Sequence, residues 1–74
     1  MSYLSEYQID QMSQAALQSY EMTADWNNAF RAAHEFAVDE MNVRPNRTAV
    51  LLALKIAKVK WMAIIYGVKQ KAQS

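Results

Sequence analysis

The chain has no cysteine, and only one histidine, one glycine and one proline in 74 residues. Without cysteine, disulfides and thiolate metal sites are excluded. His34 alone is a poor basis for an imidazole site. Scarce glycine and proline remove most turn signals and point to an all-α fold. Acid is missing from the second half altogether. Residues 1–43 carry all seven acids and one base, Arg31, for a net −6; residues 44–74 carry the other seven bases, for +7. That asymmetry points to a charged partner, unless the two halves pack together and cancel.

What is present is apolar side chain, 53% of the residues against 20% charged. That is the composition of a globular chain rather than a disordered one. The length fits one small helical domain over 1–74, with a core of marginal size. Such domains borrow stability from metal, disulfides or association. With the first two disfavoured, association is the expected support. Polar Ser5 and Glu6 follow Met1–Leu4 directly, so a secretory leader is not expected and the expected location is cytoplasmic.

Three helices are expected, at about 5–22, 24–41 and 46–70. SEYQ at 5–8 reads as a capping box. Ile9, Met12, Ala16 and Tyr20 then recur at helical spacing. Thr23 is the expected break, with TADW offering a threonine cap and Asp25 in the first turn. The alternative is one continuous helix from Ser5 to Asn42. Trp26, Ala29, Phe30, Ala33, Phe36 and Ala37 form the next apolar stripe. NVRPN at 42–46 is the strongest punctuation: Asn42 suits a left-handed cap, and Pro45 forces Arg44 to be extended.

RPNRTAVLLALKIAKVKW opens the third helix, expected to be long and central. Ala49–Val68 is long enough to span a bilayer. Lys55, Lys58 and Lys60 sit near its middle, at about 2.5–3.5 kcal/mol each, so a membrane span is excluded. Val50, Leu54, Ala57, Trp61, Ile64 and Val68 form one apolar strip. Leu52, Ile56, Val59 and Ala63 form a second, nearly opposite. A helix apolar on two sides needs cover on two sides. The chain's own helices supply one cover, which leaves a second copy or another protein for the other.

Between the strips lies a mixed basic and apolar face, the candidate partner-binding surface: Arg44, Arg47, Leu51, Lys55, Lys58, Met62, Ile65 and Lys69. Cations at a helix N-terminus oppose the macrodipole by about 0.3–1 kcal/mol each, so Arg44 and Arg47 do nothing evident for the helix. MNVRPNRTAVLLALKIA also resembles the turn and second helix of ribbon-helix-helix DNA-binding proteins, where Arg-Thr precedes an apolar helix. The resemblance implies a preceding strand that reads the major groove. The segment in that place, SQAALQSYEM at 13–22, is helix-prone and has no base.

Catalytic signals fail in turn. HEFAV at 34–38 starts like H-E-x-x-H but has Val38 where the second histidine must be. Glu35, Asp39 and Glu40 gather acid on one helix, yet no acid follows on the third to face them across a metal. No Gly-rich phosphate loop or Ser-His pairing occurs. The expectation is a non-enzymatic protein-binding module without cofactor or metal, a small regulator or inhibitor of the bacterial or phage type. It would dock on itself, as a homodimer, or on a larger protein. The alternative is a nucleic-acid binder using the same basic face.

Overall fold

The computed structural model describes residues 4–73 in backbone and 4–67 in side chain. It holds three helices in an all-α bundle: α1 Glu6–Thr23, α2 Trp26–Asp39 and α3 Arg47–Gln73. Among the described residues there is no strand, and 13–22 lies within α1. The strand that a ribbon-helix-helix protein would use to read DNA is therefore a helix here.

Local chemistry sets the helix ends. Ser5 and Gln8 make a reciprocal capping box: Gln8 N–H donates to Ser5 Oγ at 3.1 Å, and Ser5 N–H to Gln8 Oε1 at 2.8 Å. The break follows Thr23 directly, at Ala24–Asp25, but the cap of α2 is Asp25, whose carboxylate accepts from Asn27 N–H at 2.8 Å. Thr23 does not cap because its hydroxyl donates back to Ser19 C=O at 2.8 Å, inside α1. Ala24 closes α1 in the left-handed region, at φ 56°. A Cβ there costs about 1–2 kcal/mol, which glycine avoids. Ala24→Gly is expected to raise the unfolding free energy by about 1 kcal/mol in urea titration. A fall would refute the strained cap.

α2 ends as expected, with Asn42 left-handed at φ 56°. Val43 N–H reaches back to Ala37 C=O at 2.9 Å. Asn46 caps α3, its side chain accepting from Ala49 N–H at 2.8 Å.

The topology is up-down-up. Leu52 and Ile56 share a cleft with Leu4 and Ile9, while Lys60 meets Asp10 and Ser13, so α3 runs parallel to α1. α1, not α3, is the central helix: it packs along both others, which touch each other least. The reason is the alanine series. Ala29, Ala33 and Ala37 on α2, and Ala53 and Ala57 on α3, are fully buried with Met12 and Ala16 of α1. Small side chains at four-residue spacing let the helix backbones approach closely.

Length separates α3 from the others. Its 27 residues span about 40 Å, whereas the 18 of α1 span about 27 Å. α3 therefore runs on past the α1–α2 turn, and the bundle measures 49 × 23 × 18 Å.

Candidate docking surface on α3

The first apolar strip of α3 does what its spacing implies over its first half. Val50, Leu54 and Ala57 are buried, and Trp61 is half-buried with its ring edge-on to Tyr20 at 5.4 Å. Ile64 departs from the expectation and is exposed. Its angle on the helix is right, but it lies beyond the reach of α1 and α2. Val68 lies outside the described side chains. In the second strip Ile56 is half-buried, while Leu52, Val59 and Ala63 are exposed.

The basic-apolar face is open along its described length. Arg47, Leu51, Lys55, Lys58, Met62 and Ile65 are all exposed on α3. Arg44 is exposed too, but in the link before the helix. Lys69 lies outside the described side chains. Val59 and Met62 stand 60% and 68% exposed. At the α2 end of this face, Trp26, Phe30, Leu51 and Leu54 line a shallow cleft with Arg47 and Lys58. Tyr20 stacks on Trp26 at 3.8 Å, and Lys58 Nζ lies 5.4 Å from the Trp26 ring centroid. The indole is already engaged within the fold and is poorly placed to stack on a base.

The charge halves do not cancel by pairing. Among the described residues there is one ion pair, Lys60 Nζ to Asp10 Oδ1 at 2.6 Å. Lys60 also donates to the buried Ser13 hydroxyl at 3.1 Å, which in turn donates to Asp10 C=O at 2.6 Å. This cluster fixes the register of α3 on α1. It removes Lys60 from the free cations and leaves Arg44, Arg47, Lys55 and Lys58 without an acid partner.

The hydrogen bond from Lys60 holds the Asp10 carboxyl below its ordinary value of 3.8. A depressed folded-state value contributes stability that is complete above the unfolded value and is lost as pH falls through the folded one. Wild type and Asp10→Asn are thus expected to differ in stability at pH 7 and to converge toward pH 2. Parallel acid-unfolding curves would show that the pair contributes nothing.

The accessible surface is 5649 Å², against about 4,700 Å² for a compact monomer of 8.5 kDa. Among the described residues, seven of the ten large apolar side chains left exposed lie on α3. No helix among the described residues is long and apolar enough to cross a membrane. Nor, among them, do three His, Asp or Glu side chains gather as a metal set. Comparison with protein families, curated proteins and solved structures returned no match.

Proposed function

We propose that the chain is a non-enzymatic protein-binding module that docks through α3, as a small regulator or inhibitor. One observation carries this reading: the side-chain sizes are inverted. Among the described residues, six of the ten buried apolar ones are alanine. Leu51, Leu52, Val59, Met62, Ile64 and Ile65 are exposed on one helix. A fold that needed these side chains for itself would bury them, because each contributes about 1.5–3 kcal/mol when covered. Leu51, Met62 and Ile65 share one face of α3 with Arg47, Lys55 and Lys58, and exposed apolar surface rimmed by charge marks an interaction site.

Nucleic acid is the second reading, and the unpaired Arg44, Arg47, Lys55 and Lys58 favour it. Phosphate binding weakens steeply with salt, whereas an apolar interface does not. A photoreactive benzophenone side chain at position 59, on the full chain, tests the first reading. Adducts with protein, its own or foreign, are expected there and not from position 14 on the far side of α1. No protein adduct, together with salt-sensitive retention of DNA or RNA, would replace it by the second.

A further inference from the structure

We propose that the overhanging end of α3 docks in the groove between α1 and α2 of a second copy, head to tail. This rests on α3 being the docking surface and names what covers it. A helical hairpin has two grooves. The chain's own α3 fills one. The other is open, with Ala15, Ala32 and Phe36 among its lining and Glu35, Asp39 and Glu40 along it. Among the described residues, none of α3 and no base lines it.

Charge identifies the occupant. None of the three groove acids is in an ion pair. Asp39 and Glu40 also sit at the C-terminal end of α2, where a negative charge opposes the helix dipole. The overhang, by contrast, carries Lys69 and Lys71 and no acid, so each surface brings the charge that the other lacks. The overhang, Met62–Gln73, is about 18 Å long. The groove is lined over residues 15–23 of α1 and 32–40 of α2, about 12–14 Å of each helix. A side chain added at Gly67 would meet nothing within 4 Å, so the overhang has room for a partner.

The same chain cannot satisfy itself, because its α3 lies against the other side of the hairpin. Pairing α3 with α3 fails on charge, since residues 44–74 hold seven bases and no acid. Donor and acceptor surfaces thus differ, and a heterologous contact of this kind builds open chains or rings rather than stopping at a dimer.

Light scattering on the full chain tests this with two variants. Met62→Glu/Ile65→Glu removes the donor, and Glu35→Lys/Asp39→Lys removes the acceptor. All four positions are exposed. Wild type is expected to gain mass with concentration, and each variant alone to stay at 8.5 kDa. A one-to-one mixture regains a single intact contact and is expected to stop at twice that mass. Should circular dichroism show lost helix in either variant, Met62→Gln and Glu35→Gln/Asp39→Asn give the same ordering. A wild type that stays monomeric at millimolar concentration overturns the head-to-tail contact, as does an acceptor variant that still associates. Either result leaves docking through α3 standing if position 59 still cross-links to protein. Loss of those adducts as well would remove both.

Discussion

Met12→Ala is expected to leave most of the chain unfolded at 25 °C. Met12 is fully buried and is the largest such side chain, ahead of Val50 and Ser13. Large-to-small changes at buried methionine cost about 2–5 kcal/mol, through lost transfer energy and the cavity left behind. The cavity here would open among alanines held by the close approach of three helices, with no long neighbour to collapse into it. A single core of this size rarely supplies more than about 3–5 kcal/mol in total. The loss is therefore comparable to the whole stability. Circular dichroism with urea titration reads it directly. A change below about 1 kcal/mol would mean that Met12 is not the centre of the core.

The opposite behaviour is expected on α3. Val59→Gln/Met62→Gln removes two apolar side chains larger than anything in the alanine series. Neither contributes to the core of the monomer, so the unfolding free energy is expected to stay within about 0.5 kcal/mol of wild type. Glutamine is at least as good a helix former as valine and close to methionine, so helix propensity does not mask the result. Docking is where the loss belongs. Side chains at the desolvated centre of an interface carry most of its binding energy, so losing two together is expected to cost more than about 1.4 kcal/mol, the equivalent of tenfold. More than a tenfold fall in association is expected.

Much of this was legible in the sequence because local chemistry decides it. Ser5 and Gln8 cap α1 through side chains three residues apart, and Asn42 takes the left-handed turn that its residue type tolerates. The alanines of α2 lie on the stripe that their spacing drew. Thr23 was misread because a threonine hydroxyl can accept from the helix ahead or donate to the turn behind. Here Ser19 C=O wins, and Asp25 takes the cap.

The lysines of α3 look alike in the sequence, yet the half-buried Lys60 is tied to Asp10 and Ser13 while Lys55 and Lys58 have no acid partner. Only the register of α3 on α1 separates them. Ile64 shows the other limit of a helical wheel. The wheel gives direction around the axis and says nothing about where the neighbouring helices stop. The same limit hid the overhang, and with it the central place of α1: α3 is the longest element but leaves the bundle before it ends.

The central claim is that the large apolar side chains of α3 serve a partner and not the fold. Unfolding free energy and association measured together on Val59→Gln/Met62→Gln test it most directly. Unchanged unfolding with association reduced more than tenfold is the predicted result. A loss of about 2 kcal/mol or more in unfolding, the size expected of a buried position, would contradict it.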